Sequence, residues 1–338
     1  MTIRLLLCLS AIVTLSYSCQ PEKIQADKIL KQSIFDYIHD TDNPTLTLSG
    51  DLSHLFETGT IKAETGKEQY HDAMLSINHG DETKNIATRI AKRGVTRKSI
   101  CDFPPIKLKF KKDTLSMHDL SEFNTYKLVT HCIDSLEELV LSELIVYQLY
   151  NHITDNSFRV KRVNMVYQDD NAQTDSRHVA FLIEEDQELA HRLGAKLYED
   201  KVKSLDRKQY AEMVMFQYMI GNTDWNLTNG HNKKWIQQSS LPSPTPIPYD
   251  FDFCGLVNAP HANPHPNMPI ESVRDRMLQW RGKTKDELRE VSSKLVKEKA
   301  SLHAIIYNTE VLSPSRKTDM IAFLEEFYID IRSEEFYQ

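Results

Sequence analysis

Apolar and polar residues alternate along several short segments in the first half of the chain. The alternation is clear in TLTLSGDL from Thr45, KNIATRIAKRG from Lys84 and PPIKLKFKK from Pro104, and TYKLVTHC from Thr125 is a short run of β-formers. FRVKRVNMVYQD from Phe158 and RHVAFLIEED from Arg177 add two strands with a polar turn between them. A period of two puts successive side chains on opposite faces, so this half of the chain predicts a half-buried sheet.

A helical period interrupts these strands once and then dominates the second half. SLEELVLSELIVYQLYNHI predicts a helix of about five turns, with Ser135 as N-cap and Glu137 and Glu138 in the first turn. After Glu185 most segments have helical spacing, except for a hairpin predicted across HNKKWIQQ and PIPYDFDF. In YAEMVMFQYMIGNTDWNLTN the apolar helix is expected to end near Gly221, because short polar side chains compete for backbone hydrogen bonds. Segregated strands and helices predict an α+β fold.

The N-terminal segment has the features of an export signal. Arg4 precedes the apolar run LLLCLSAIVTL, and SYSC then places small residues before Cys19. We expect residues 1–18 to be a signal peptide of a bacterial lipoprotein, with Cys19 lipidated and the protein anchored in the cell envelope. An ordinary cleaved signal is the alternative, and the apolar run is too short for a membrane-spanning helix.

Composition and charge limit the classes of partner. The chain has 338 residues, a formal net charge of -7 and 40% hydrophobic residues, which indicates a globular protein without the basic excess of a nucleic-acid binder. Basic residues nevertheless cluster between Ala91 and Lys112, in AKRGVTRK and KLKFKK, where a local anion site is possible.

The cysteines suggest one internal disulfide. Five cysteines are present, and Cys8 and Cys19 fall in the predicted signal and lipidation site. Cys101 precedes the lysine-bearing strand and Cys132 ends TYKLVTHC, so the two are expected to be neighbours in an oxidising compartment. Two buried free thiols are the alternative, and Cys254 is expected to be a buried free thiol.

Several polar residues have the types and spacing that phosphoryl transfer needs. In kinases a carboxylate accepts the hydroxyl proton, an amide five residues later binds metal, and a second carboxylate follows a hairpin. Asp224 and Asn229 in DWNLTN have the first spacing, and Asp250 and Asp252 in PYDFDF follow the predicted hairpin. We favour Asp250 over Asp252 as the main metal ligand because it comes where the strand ends.

The parts that would hold the nucleotide phosphates lie earlier in the chain. Lys107 and Lys109 share one face of a strand, and Glu143 lies in the middle of an apolar helix, where a carboxylate needs a partner. A lysine from across the cleft would be a natural partner. The alternatives are that Asp224 and Asn229 only cap a helix, that the lysines are solvated, and that Glu143 is at the surface.

These segments together resemble the spore-coat kinase (CotH-like) family and, more distantly, HipA-type and secretory-pathway kinases. The resemblance covers residues 44–290 and rests on RG at Arg93, PPIKLKF, SELIVYQLYNHITDNSFRVKRVNMVY, FLIEE, GNTDWNLTN and PYDFDFCG. It implies a two-lobed protein kinase-like fold, with a β-rich N-lobe at 44–185 and a helical C-lobe at 186–338. Residues 19–43 would then be a tether with a short helix.

The same resemblance implies ATP, Mg²⁺ or Mn²⁺ and a role for each site residue. Asp224 is the base, Asn229 and Asp250 or Asp252 bind metal, and Glu143 pairs with the lysine. The residues implied to contact nucleotide are Lys107 or Lys109, Arg93, Arg97 and, in the hinge-like FLIEE, Glu184. No G-x-G-x-x-G loop is present, so the basic KRGVTRK segment is expected to approach the phosphates instead.

The sequence therefore predicts an atypical kinase that transfers the γ-phosphoryl group of ATP to a protein or small-molecule hydroxyl. Two alternatives use the same fold: a catalytically weak surface lipoprotein that binds a partner, and a transferase that moves AMP rather than phosphate. The sequence does not identify the acceptor.

Overall fold

Seven strands form a closed barrel in the first half of the chain. The computed structural model describes residues 31–57, 69–80, 82–94, 97–133 and 136–338. The strands are β1 (Thr45–Gly50), β2 (His71–His79), β3 (Glu82–Lys92), β4 (Ile106–Phe110), β5 (Thr125–Val129), β6 (Val160–Asp169) and β7 (Ser176–Ile183). Their order around the barrel is β1-β2-β3-β4-β5-β7-β6. The β1–β6 contact is parallel and closes the barrel, and the other contacts are antiparallel.

The barrel encloses an apolar core that also includes the first helix. In β4 the burial alternates, so that Ile106, Leu108 and Phe110 face the core while Lys107 and Lys109 face outward. Helix α1 (Ile34–His39) is capped by the side chain of Ser33 and buries Ile34 and Phe35 in the same core. The second part of the segment expected to be a tether is thus packed on the barrel. Short helices α2 (Leu52–Glu57), α3 (Arg97–Ile100) and α4 (Lys112–Met117) lie between strands.

Helices, one small sheet and long connecting segments make up the rest of the described chain. The helices are α5 (Glu137–Ile153), α6 (Asp186–Arg192), α7 (Arg207–Met219), α8 (Asp286–Tyr307) and α9 (Pro314–Asp330). Strands β8 (Ala195–Leu197), β9 (Lys233–Gln238) and β10 (Thr245–Pro248) form a sheet of order β10-β9-β8. A second apolar core joins α5, α7, α8 and α9. Within the described ranges, no helix has the length and apolar character required to cross a bilayer.

The disulfide expected from the sequence is present. Cys101 and Cys132 are bonded with their Cα atoms 4.6 Å apart, which ties the β3–β4 connection to the segment after β5. Hydrogen bonds reinforce this junction, because the Phe103 amide donates to the Cys132 carbonyl and the Thr130 hydroxyl donates to the Phe103 carbonyl. Cys254 is a buried free thiol, as predicted, and burial raises its pKa to about 12.

Most of the predicted elements are present, with local differences. The α+β class is confirmed, as are the long α5, the β9–β10 hairpin and the end of α7, which stops at Met219 with Gly221 at a φ of +63°. The helical spacing expected after Glu185 holds only in part for the first segment, EDQELAHRLGAKLY, because α6 ends at Arg192 and residues 195–197 pair with β9 as β8. The signal segment, Cys8 and Cys19, and Ser135 lie outside the described residues.

Candidate active site

A cavity of about 610 Å³ brings together side chains from five separate parts of the chain. We call it the cleft. Its walls include Arg93 and Arg97 from the β3–β4 connection, Lys107 from β4, Lys127 from β5, Asp224 and Asn229 from the loop after α7, and Asp250 and Asp252 from the segment after β10. Segments more than 100 residues apart in sequence thus place positive and negative groups in one space.

Asp224 is oriented by polar neighbours from its own loop. Asn232 Nδ2 donates to Asp224 Oδ2 at 2.9 Å and to the Asp224 carbonyl at 2.7 Å, and His231 Nε2 lies 2.9 Å from Oδ1. The Asp224 amide donates to Asn222 Oδ1 at 2.9 Å. A carboxylate held on both oxygens, and still partly open to the cleft, has the orientation expected of a general base.

Asn229 lies in the same loop and also lines the cleft. Its Oδ1 accepts a hydrogen bond from the His231 amide at 3.0 Å, and its own amide donates to Asn226 Oδ1 at 3.3 Å. These bonds make the loop a series of turns built from asparagine side chains. They fix Asn229 on the same wall as Asp224.

Two glycines allow this loop to pack directly against the acidic segment. The Gly255 amide donates to the Gly221 carbonyl at 3.0 Å, and the Leu256 amide donates to the Ile220 carbonyl at 3.0 Å. A Cβ at Gly255 would lie 2.4 Å from the Val273 carbonyl oxygen, and one at Gly221 would lie 2.8 Å from the Phe323 ring. A larger residue at either position would push its segment away from Val273 and Phe323, so glycine allows both segments to pack closely against these two residues.

A tyrosine side chain on α5 holds the backbone of Asp250 in place. The Asp250 amide donates to the Tyr147 hydroxyl at 2.8 Å, and Tyr147 lies one turn after Glu143 on α5. Asp250 has a φ of +64°, an uncommon conformation for a residue other than glycine. Its carboxylate is partly exposed in the cleft, with Arg93 Nη2 at 3.9 Å, whereas Asp252 is buried.

Glu143 is fully buried, but its partner is not the expected lysine. Arg97 Nη2 lies 2.5 Å from Glu143 Oε2, and Arg97 Nε lies 2.8 Å from Asp252 Oδ2. The predicted ion pair with Lys107 or Lys109 is therefore wrong. The physical reason is that the β3–β4 connection lies along the cleft. Arg97, at the start of α3, therefore places its guanidinium against Glu143, in the position expected for a lysine of β4.

Burial dominates the electrostatics of this cluster. It raises the pKa of Asp252 to about 7, with Asp250 and Glu143 adding to the effect and Arg97 opposing it. It raises the pKa of Glu143 for the same reason, and Asp250 again adds while Arg97 opposes. Burial alone would lower the pKa of Arg97, but Asp252 and Glu143 together raise it. The arginine thus stays charged and offsets much of the cost of burying the two carboxylates.

The lysines are distributed differently from the prediction. Lys107 lines the cleft, whereas Lys109 is not among the lining residues, and its Nζ lies 5.4 Å from the Tyr70 ring centre. Lys127 also lines the cleft, although the sequence analysis did not single it out. It pairs with Asp186 and lies over the rings of Phe158 and Tyr249. Burial lowers its pKa, and Asp186 partly restores it.

Glu184 lies outside the cleft lining and takes part in an ion-pair network. Its carboxylate, fully buried, accepts hydrogen bonds from Arg159 and Arg192 at 2.8 to 2.9 Å. A direct contact between its side chain and nucleotide, implied by the family resemblance, would require those arginines to release it.

The donor set suits a hard divalent cation. Carboxylate oxygens of Glu143, Asp250 and Asp252 lie within 4.8 Å of one another, and Asn229 faces the same cleft. Mg²⁺ and Mn²⁺ prefer carboxylate, amide and water oxygens. One oxygen of this set, Glu143 Oε1, is buried without a hydrogen-bond partner, so the residues present fit such an ion.

Comparison with known proteins finds structural similarity but no match of sequence. No family model matches the chain, and no curated protein matches it. A solved structure of a proinflammatory kinase from Helicobacter pylori, CtkA, aligns with 71% of this chain and 92% of its own length, at 12% identity and a TM-score of 0.36. Similarity at this level leaves activity to be argued from the cleft itself.

Proposed function

We propose that the chain is an atypical, kinase-like phosphotransferase that uses ATP and a divalent cation. The observation that carries the proposal is the convergence, in one cleft, of an oriented carboxylate, an amide five residues later and two carboxylates after a hairpin. Phosphoryl transfer requires little more than positioning and charge stabilisation, and these groups supply both. The proposal includes a two-lobed kinase-like arrangement, with the cleft between the barrel and the helical part.

Each group has a role in this proposal. Asp224 accepts the proton of the acceptor hydroxyl and is held in place by His231 and Asn232. Asn229 and Asp250, with Asp252, would hold Mg²⁺ or Mn²⁺, and the ion would neutralise charge on the transferred phosphoryl group. Arg93, Lys107 and Lys127 provide positive charge in the cleft for the phosphates.

Lys127 replaces Lys109 as a candidate for the phosphate-binding lysine. In protein kinases this lysine is on a strand shortly before the helix that carries the paired glutamate. β5, with Lys127, is the strand that directly precedes α5, and Lys107 lies opposite Lys127 in the β4–β5 register. Lys127 and Lys107 therefore both support the proposal, and Lys109 supports it less.

The location and acceptor are part of the same proposal. A lipid on Cys19 would anchor the enzyme to the bacterial cell envelope, and the acceptor would be a protein or small-molecule hydroxyl rather than nucleic acid. The Cys101–Cys132 disulfide supports an oxidising compartment, since structural disulfides are rare in the reducing cytosol.

The test is transfer of label from ATP by the purified chain. With Mn²⁺ or Mg²⁺, γ-labelled ATP is expected to label the chain itself or added envelope proteins, and Asp224→Asn is expected to lower the rate by about 100-fold or more while leaving the fold intact. Asp175→Asn is a matched control, because Asp175 is exposed, accepts a hydrogen bond from Gln168 and does not line the cleft.

Three results would contradict parts of the proposal. Asp224→Asn turnover within about tenfold of wild type would remove Asp224 as the base. Transfer of label from α-labelled ATP would indicate AMP transfer on the same site. Absence of metal-dependent ATP binding would favour a surface lipoprotein that only binds a partner.

A further inference from the structure

The positively charged side chain of Arg97 lies among the three carboxylates that would bind a metal ion. The guanidinium of Arg97 contacts Glu143 and Asp252 at 2.5 and 2.8 Å, and Asp250 completes the cluster within 4.8 Å. Arg97 belongs to α3, a short helix in the β3–β4 connection, rather than to the elements that carry the carboxylates. The connection therefore places a positive charge where a divalent ion would lie.

The arginine leaves part of the cluster unsatisfied. Glu143 is fully buried, and its Oε1 has no hydrogen-bond partner. Arg93, the other nearby arginine, reaches Asp250 only at 3.9 Å. A buried carboxylate oxygen without a hydrogen-bond partner destabilises the folded protein. Coordination to a metal ion at about 2.1 Å would compensate for the missing hydrogen bond.

We propose that Glu143, Asp250 and Asp252 form a divalent-cation site whose occupant in the metal-free protein is Arg97. The metal ion and the Arg97 guanidinium then compete for the same carboxylates, because an ion bound at Glu143 Oε1 would bring a second positive charge close to the guanidinium that pairs with Oε2. Glu143 becomes a metal ligand instead of the partner of a lysine. This inference rests on the proposed function, since the cation is the one that phosphoryl transfer would use.

Release of Arg97 has a consequence for ligand binding. The residue lines the cleft, so a guanidinium freed by the ion remains beside the space where phosphates would lie. Guanidinium binds phosphate well through paired N–H donors. Metal binding would thus release Arg97 from the cation site to contact the anion, which adds to the positive charge of Arg93, Lys107 and Lys127 in the cleft.

The experiment measures Mn²⁺ binding by the purified full chain without nucleotide, from the electron paramagnetic resonance signal of free Mn²⁺. Arg97→Gln is expected to bind Mn²⁺ about tenfold or more tightly than wild type, because the competing charge is gone and all three carboxylates remain. Its melting temperature is expected to fall in EDTA and to recover on adding Mn²⁺ by more than the wild-type shift. Arg289→Gln, which removes an arginine from a surface pair with Glu334, is the matched control and should change neither quantity.

A second variant keeps the test decisive if Arg97→Gln fails to fold. Glu143→Gln preserves the volume but removes one anionic ligand, so Mn²⁺ binding is expected to weaken about tenfold. Unchanged Mn²⁺ affinity in Glu143→Gln, or equal affinity in Arg97→Gln and wild type, would overturn the inference. Because nucleotide is absent, such a result would leave the Asp224→Asn transfer assay as a separate test of the proposed function.

Discussion

At the scale of single residues, Lys127 shows how an apolar strand can supply a polar group to the cleft. Its neighbours Tyr126 and Leu128 point into the barrel core, so Lys127 must point outward, towards Asp186 and Tyr249. Burial lowers its pKa, yet the ion pair with Asp186 favours the charged form. A partly desolvated ammonium group attracts an anion more strongly than a fully hydrated one does.

Lys127→Met is therefore expected to weaken ATP binding, while Lys109→Met is expected to change it little. Both substitutions keep a long side chain and remove one charge, but only Lys127 lines the cleft. A loss of about tenfold in affinity corresponds to about 1.4 kcal/mol, a moderate value for one charge–phosphate contact. Equilibrium binding of ATP with Mn²⁺, measured by calorimetry, checks this. A larger effect of Lys109→Met would restore the original assignment to β4.

The sequence could indicate site residues that lie close together in sequence, but not those that meet only in the fold. Asp224, Asn229 and Asp250 were found from local spacing and a hairpin, and all three line the cleft. His231 and Asn232, which orient Asp224, lie just beyond the quoted motif and carry no spacing signal of their own. The Arg97–Glu143 pair spans 46 residues, so no local pattern could identify it.

At the scale of elements, the β3–β4 connection determines what enters the cleft. It carries Arg93 and Arg97, and the Cys101–Cys132 disulfide fixes its end to the segment that leads into α5. The sequence correctly predicted this disulfide because strands on both sides were expected to be neighbours. It did not predict α3 or α4, since helices of four and six residues are too short to show a helical period.

Replacing both cysteines with serine is expected to destabilise the protein by up to about 3 kcal/mol. The disulfide closes a loop with a sequence separation of 31, and the stabilisation arises mainly from restricting the unfolded chain. Urea unfolding of wild type and Cys101→Ser/Cys132→Ser, each with and without reductant, measures this. Reductant should lower the stability of wild type to that of the variant and leave the variant unchanged. Equal stability of all four samples would show that the disulfide contributes nothing.

At the scale of the whole molecule, a buried charge network joins the barrel to α6. Glu188 accepts hydrogen bonds from the Ser33 hydroxyl before α1 and from the Tyr126 hydroxyl on β5. Glu184 and Asp36 add negative charge nearby, and Arg159 and Arg192 compensate part of it. The α+β class could be predicted from the periodicity, but barrel closure through β1 and β6 and this network could not, because both depend on contacts distant in sequence.

The pH dependence of stability is the property most sensitive to this network. The pKa of Glu188 is raised to about 7, mainly by burial, with Glu184 and Asp36 adding to the shift and Ser33 and Arg159 opposing it. In the unfolded chain the pKa of the Glu188 carboxyl is about 4.5, so the native state binds the proton more tightly than the unfolded state does. The stabilisation is therefore fully present below about pH 4.5 and is lost as the pH rises through about 7.

Between pH 5 and pH 8, the unfolding free energy of Glu188→Gln is therefore expected to fall by on the order of 2 kcal/mol less than that of wild type. The glutamine cannot ionise, so it keeps a neutral hydrogen-bonding group at this position at every pH. Asp252, whose pKa is also about 7, titrates in both proteins and cancels in the comparison. Glu334→Gln is the control, because its hydrogen bond with Arg289 lowers the pKa of Glu334 and moves its titration below this range. Urea unfolding at half-unit pH intervals gives the curves, and parallel curves for wild type and Glu188→Gln would show that Glu188 is ionised in the native protein throughout.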